Sequence, residues 1–343
     1  MTVTVGNSAP GASVLPAALD DFPLEPFPPV PMWSENYAFM INSPGDGLAL
    51  ASQLGRWPVD PSVWREFFML ALPGERIVYH KAFGREPNLQ QIRASLFAID
   101  VLEPGQAYRL RFDGPVSSDR RDSLLTRGIT PRPLSPLQFD LVFEGVAPPW
   151  DMSGHAKAAE ALAGKLHVEQ VGSVSGVVTF GEESYGIQGA FGQRDHSRGI
   201  RVITQLHRHC WAQGWFPEAE LTFNLYMMAV HGGPPAMSNA SLATKGRRLD
   251  AKVVSIDLMQ AAGDHQRAYA VTIDSELGPM TFEIDRFVAS MPAAFCSPYD
   301  KSPGAMPGFH AASSNEEAVV WKWNGLEGPG WSERSFNASP FPV

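Results

Sequence analysis

The residues of this 343-residue chain best equipped for chemistry lie together in the run Gly192-Gln193-Arg194-Asp195-His196-Ser197-Arg198-Gly199-Ile200-Arg201. An acid, a base, a hydroxyl and several cations fall side by side in a chain that is only 18% charged. On a strand, Arg194, His196 and Arg198 share one face, and Asp195 and Ser197 the other. Asp195 and His196 therefore cannot form a simple hydrogen-bonded dyad on a straight strand, unless a bulge at Gly192 or Gly199 re-aims one of them. A buried Asp near a cation can give or take a proton. Burial raises its pKa and the cation lowers it, and the balance depends on the fold. A solvated charged turn between two glycines is the plain alternative.

Glu35 sits between Trp33 and Tyr37 at strand spacing, so a carboxylate lies beside aromatics. In an apolar pocket its pKa would rise and suit general acid or base work, whereas at a loop start it would merely be solvated. His80 follows Ile77-Val78-Tyr79 and could face a pocket as a base; an ordinary, satisfied strand histidine is the commoner role. His207 and His209 flank Arg208 and would share a strand face, with Cys210 pointing away. Such a pair can ligate zinc or iron, but no third ligand stands at a telling spacing, so no metal is expected. Phe191, Trp211, Trp215, Phe216, Trp321, Trp323 and Trp331 divide between core packing and cavity wall, a division that sequence cannot make. Met227 and Met228 read as core filler.

The elements that must position these groups are short strands. Gly and Pro, 31 and 30 residues, exceed the average share of about 12% and are spread along the chain, which cuts it into many turns. Tyr108, Leu110 and Phe112 alternate with polar neighbours, as do Leu137, Phe139, Leu141 and Phe143, then Leu221, Phe223 and Leu225, then Met280, Phe282 and Ile284, then Val319, Trp321 and Trp323. Seven prolines before residue 32 make residues 1–31 an extended arm, its first 20 residues loose and its later apolar residues Phe22, Leu24, Phe27 and Val30 laid against the body. Residues 32–150 form a first β domain. Pro148-Pro149-Trp150 ends its pattern, and 151–165 is a helical connector, with Ser153 capping and Gly164 ending an Ala-rich stretch. Residues 166–343 form a second β domain. The fold class expected is mainly β: two antiparallel barrels or sandwiches in tandem, with few helices.

A net charge of −9 argues against nucleic acid and anionic membrane surfaces as partners. No apolar run reaches the length of a membrane span. The first basic residue, Arg56, comes too late for a secretory or mitochondrial leader, and two cysteines cannot make a disulfide framework, so a reducing cytoplasmic location is expected. Dinucleotide, P-loop, zincin, C-x-x-C and G-x-S-x-G motifs are missing, so any chemistry is expected to use side chains without a cofactor. A homodimer is left open.

The stretch His167-Val168-Glu169-Gln170, then Gly172, Gly176, Gly181-Glu182, then Gly189 and Phe191 through Arg201 resembles a widespread bacterial family with the pattern H-x-E-Q, several glycines, then G-x-R-D-H-S-W-G-x-R. Trp33-Ser34-Glu35-Asn36-Tyr37 resembles that family's opening. The family is distantly similar to carotenoid hydratases of the hydroxyneurosporene synthase type, to AttH-like proteins and to fungal Diels–Alderases built from two lipocalin-like domains. The resemblance implies two lipocalin-like barrels and cofactor-free work on a hydrophobic small molecule. Carried over, it nominates Asp195 and His196 as the proton-handling pair. Arg198 stands where the family has Trp, which would change the pocket wall.

The reading that results is a cofactor-independent lyase, a hydratase, dehydratase or fragment-eliminating enzyme, acting on a hydrophobic or aromatic small molecule such as a terpenoid, a steroid or a phenylpropanoid. Asp195, His196, Glu35 and Arg194 would carry the chemistry. Trp33, Tyr37, His80, Gln170, Phe191, Arg198, Arg201, Trp215, Trp321 and Trp323 would bind the substrate. The alternatives are a non-catalytic lipocalin-like carrier, an isomerase or cyclase on the same ligands, and a metal enzyme using His207 and His209.

Overall fold

The computed structural model describes residues 21–28, 30–31, 33–152, 166–200, 204–233, 235–297, 300–306 and 311–340. Their alternating apolar pattern folds into two antiparallel sheets. The first holds β1 (Trp33–Ser43), β2 (Leu48–Trp57), β3 (Asp60–Leu72), β4 (Arg76–Arg85), β5 (Ile92–Arg93), β6 (Phe97–Glu103), β7 (Ala107–Arg120), β8 (Ser135–Gly145), β9 (Trp150–Asp151), β10 (Leu166–Phe180) and β11 (Glu183–Ile200). The second holds β12 (Leu206–Phe216), β13 (Leu221–Val230), β14 (Pro235–Thr244), β15 (Arg247–Ile256), β16 (Ala270–Ser275), β17 (Gly278–Ser297), β18 (Asp300–Pro303), β19 (Ala312–Trp323) and β20 (Leu326–Phe336).

Each sheet closes on itself. The first runs β4-β3-β2-β1-β11-β10-β8-β7 and returns from β7 to β4; the second runs β16-β15-β14-β13-β12-β20-β19-β17 and returns from β17 to β16. Closure removes the exposed strand edges that an open sheet would carry. The mainly β, tandem-barrel class expected from sequence is what forms.

The division between the sheets does not follow the expected connector. Residues 153–165, where that connector was expected, lie outside the described residues, as do residues 1–20. Strands β10 and β11, placed above with the second half, pair with β8 and β1 and complete the first barrel, so the sheets change over between Ile200 and Leu206. The one α-helix among the described residues, α1 (Arg121–Arg127), went unread in the sequence: it is seven residues long and presents a single buried apolar residue, Leu124.

The first barrel is filled by rings. Phe68, Phe97, Phe112 and Phe139 meet at centroid distances from 4.8 to 6.4 Å. Burying each such ring contributes about 1.5–3 kcal/mol. Gly172 and Gly192 face each other on β10 and β11 because the Phe143 ring lies against both; a Cβ on Gly172 would come 2.4 Å from that ring. In the second barrel Phe223 stacks on Phe282 at 4.2 Å, and the Trp321 indole donates to the Gln213 carbonyl at 2.9 Å.

The barrels pack outer face to outer face. Small residues, Ala38, Ala49, Ala51, Ala71, Ala293 and Ala318, let the sheets approach, with Phe67, Phe191, Trp211 and Trp331 filling between them. Asn42 Nδ2 crosses the gap to the carbonyls of Val319 (2.8 Å) and Gly330 (2.9 Å). This packing buries every residue of β1 from Trp33 to Ser43, so a strand with both faces covered shows no alternation.

Candidate functional site

The barrel interface is not filled throughout. Between the outer faces lies a cavity of about 120 Å³. Its apolar lining includes Met40, Phe67, Trp211, Tyr226, Met228 and Phe295; its polar lining is His167, Asp195, His209, Lys301, Glu316 and Glu333, with Ser52 and Gln53.

The wall from the first barrel is set by strand register. Asp195 on β11 stands opposite Glu169 on β10, and Ser197 opposite His167, which brings the four side chains to one outer face. His167 Nε2 lies 2.6 Å from Asp195 Oδ2 and 3.5 Å from Glu169 Oε1. Ser197 Oγ donates to Asp195 Oδ1 at 3.2 Å. Glu169 sits just behind this pair, receiving the Trp211 indole N–H at 2.8 Å and the Gln193 amide at 3.3 Å. Burial, reinforced by the neighbouring Asp195, pushes the Glu169 carboxyl up to about 8 against the opposing pull of His167, Trp211 and Arg248.

The second barrel supplies the opposite wall. Lys301 Nζ is paired with Glu316 and lies 2.8 Å from Glu333 Oε1, while the Trp331 indole donates to Glu316 Oε2 at 3.1 Å. Burial and the facing Glu333 raise Glu316 to about 7, although Lys301 opposes them. Burial opposes charge on Lys301, but the two carboxylates outweigh it and hold its pKa above the usual value. His209 is driven down to about 3, by burial first and by Lys301 second, and is a neutral imidazole. The Tyr226 ring bridges the walls, 4.8 Å from the His209 ring and 5.8 Å from that of His167.

The face assignment along 194–198 is as the sequence reading had it, with an unbroken register and no bulge between Phe191 and Ile200. Of the residues nominated for chemistry, Asp195 alone reaches this cavity. His196 points into the first barrel, stacked on Tyr37 at 4.1 Å and 3.1 Å from Glu35. Glu35 is a lock, not a pocket acid. It accepts the Leu24 backbone N–H at 3.1 Å and Arg56 at 3.0 Å, and Arg56 also holds the Leu24 carbonyl and Glu25. Burial would raise the pKa of Glu35, but the hydrogen bond and charge of His196, followed by Arg56, outweigh it and keep the pKa below the usual range, opposite to the expectation. Residues 21–25 are thus tied down chiefly by polar contacts, and Phe22 and Val30 are exposed.

Arg194 turns into the same barrel, donating to Gln170 at 2.9 Å and lying 3.6 Å from Asp21. Gln170 in turn holds the carbonyls of Gly105 and Ala147. Arg198 lies 3.6 Å from Glu35, and Trp33 packs edge-on against Phe27. His80 pairs with Glu66 at 3.0 Å, and Glu66 also accepts the backbone N–H groups of Leu96 and Phe97. Phe191 belongs to the interface core, Trp321 to the second barrel's core, and Trp323 packs against that core. Trp215 lines a different cavity. Arg201 lies outside the described residues. His207 and His209 do not act together: a bulge between Leu206 and Arg208 separates them, and His207 stacks on His231 at 4.5 Å.

Sequence reading passed over His167 and Glu169 as site residues, together with Lys301, Glu316 and Glu333 of the second wall, and weighed His209 only as a metal ligand. The H-x-E spacing does place His167 and Glu169 on one strand face, but only the β10–β11 register shows that Asp195 joins them. The donor atoms of His167, Glu169 and Asp195 lie within 4.8 Å of one another. In this arrangement His167 Nε2 lies against Asp195 Oδ2.

Fold and site together define a tandem lipocalin-like β protein with an ionisable cavity between its barrels. The chain belongs to the family described as Domain of unknown function (DUF7064), whose model matches residues 17–338. No curated protein matches the sequence. Solved structures share the fold, among them three at 12% identity. A putative AttH from Nitrosomonas europaea aligns with a TM-score of 0.57 over 89% of this chain and 92% of that chain. CghA with Sch210972 aligns at 0.52 over 90% and 89%, and kievitone hydratase from Nectria haematococca at 0.50 over 89% of each. No helix among the described residues is long and apolar enough to cross a membrane.

Proposed function

We propose that this protein is a cofactor-independent acid–base enzyme, a lyase of the hydratase or dehydratase kind or an isomerase, acting on a hydrophobic or aromatic small molecule held between its barrels. The observation that carries the reading is a cavity with apolar lining and titratable groups on both walls: His167 and Asp195 on one, Glu316 and Lys301 on the other. Environments that push pKa values apart across one cavity are what acid–base chemistry requires. The fold shared with a kievitone hydratase supports the same class.

In a dehydration, the His167–Asp195 pair takes the proton from carbon. Glu316, raised to about 7, gives its proton to the departing hydroxyl, and water leaves as the double bond forms. Lys301 faces the negative charge that develops on a neighbouring carbonyl oxygen. An isomerisation moves a proton between two carbons with the same groups, and hydration is the reverse of the elimination.

The test is a mass-spectrometric screen of phenolic, terpenoid and polyketide compounds for gain or loss of one water, or for a new isomer. Asp195→Asn and Glu316→Gln, each checked for native circular dichroism, should cut turnover by about 10²–10⁴. Turnover unchanged in both variants removes this cavity from the chemistry. Ligand bound in the cavity but returned unaltered favours the carrier reading instead.

A further inference from the structure

The proposed chemistry leaves unused a patch of buried polar side chains beside the cavity. Gln213 on β12 and Asn224 on β13 stand directly opposite each other, with Thr222 two residues along from Asn224. Gln213 and Asn224 are fully buried and Thr222 is 3% exposed. Among the described residues, both amide atoms of Gln213, both of Asn224 and the Thr222 hydroxyl have no hydrogen-bond partner. Gln193 Oε1, on the first barrel, shares this condition. The large majority of buried side-chain polar atoms in native proteins are paired with protein or ordered water, so several on neighbouring strand positions call for an occupant that both donates and accepts.

The patch has two ends. Thr222 lines a second cavity of about 220 Å³ together with Trp215, Ala147 and Pro148, and exposed Glu220, Lys245 and Gly246 stand at its mouth. At the inner end, Trp211 lies two residues from Gln213 on the same strand face, about 7 Å away. Trp211 and Gln193 both donate to Glu169, which is 3.5 Å from His167.

We propose that Gln213, Asn224, Thr222 and Gln193 carry a file of internal water from the second cavity to Glu169, giving this carboxyl group a proton path to solvent that bypasses the ligand cavity. The inference rests on the acid–base role given to His167 and Asp195, and explains how that pair exchanges protons while a bound ligand closes the cavity. Amides and a hydroxyl suit water because each can donate and accept without fixing a charge. The four are positioning residues, since none lines the ligand cavity.

Infrared spectroscopy and crystallography test this without substrate. The carbonyl band of the protonated Glu169 carboxyl is identified by its loss in Glu169→Gln, and its shift is followed on transfer into D₂O. Asn224→Leu and Gln213→Met should slow that exchange at least tenfold, and a wild-type crystal structure should show water bridging these amides to Glu169. Exchange as fast in the variants as in wild type, or no such band at all, overturns the proposal. So does a rise in Tm in Asn224→Leu, the result expected when a dry, unpaired amide is replaced by an apolar side chain. Thr222→Val, which keeps the side-chain shape, serves if a larger change prevents folding. Because none of these readouts involves turnover, their failure leaves the acid–base reading to be judged by the turnover of Asp195→Asn and Glu316→Gln.

Discussion

Replacing Glu169 by Gln should change how stability depends on pH. In the unfolded chain this carboxyl titrates at 4.5; folded, it is raised to about 8. Between these values the folded state holds a proton that the unfolded state has released, so stability falls as pH rises. The loss begins above 4.5, runs at up to about 1.4 kcal/mol per pH unit, and is complete once pH passes about 8, about 5 kcal/mol in all at the upper limit. Glutamine keeps the shape and an acceptor for the Trp211 indole, but carries no ionisable proton. Urea unfolding of both proteins from about pH 5 to about pH 9 isolates the effect, because other groups, Glu316 among them, contribute alike to both and largely cancel in the difference. The variant should gain on wild type by roughly 1 kcal/mol per pH unit and level off above pH 8. Two curves that stay parallel across the range would show that Glu169 is already ionised in the folded protein, and the account of its burial would be wrong.

Lys301→Met leaves Glu316 and Glu333, which stand directly opposite on β19 and β20, buried without their shared cation; a loss of about 3–5 kcal/mol is expected near neutral pH by urea unfolding, shrinking in acid as Glu316 takes up a proton. Gly192→Ala places a Cβ 2.6 Å from Val174 and 2.9 Å from the Phe143 ring, and should cost about 1–3 kcal/mol by calorimetry, part of it recovered in the double variant with Phe143→Leu.

Much of this protein could be read before folding. Glycine and proline punctuation with period-two alternation indicated a tandem β architecture, because strand side chains must alternate whatever their neighbours. The same geometry separated Asp195 and Ser197 from Arg194, His196 and Arg198, and the structure keeps that separation. What no local pattern could say was which face looks into a barrel and which looks across to the other sheet. Both are buried, so burial cannot tell a lock such as Glu35–Arg56–His196 from a cavity wall such as His167–Asp195. The opposite wall comes from Lys301, Glu316 and Glu333, more than 100 residues further along the chain than Asp195. Their approach depends on the closure of two barrels and the packing of their outer faces, a non-local event that leaves no periodicity in the residues it brings together.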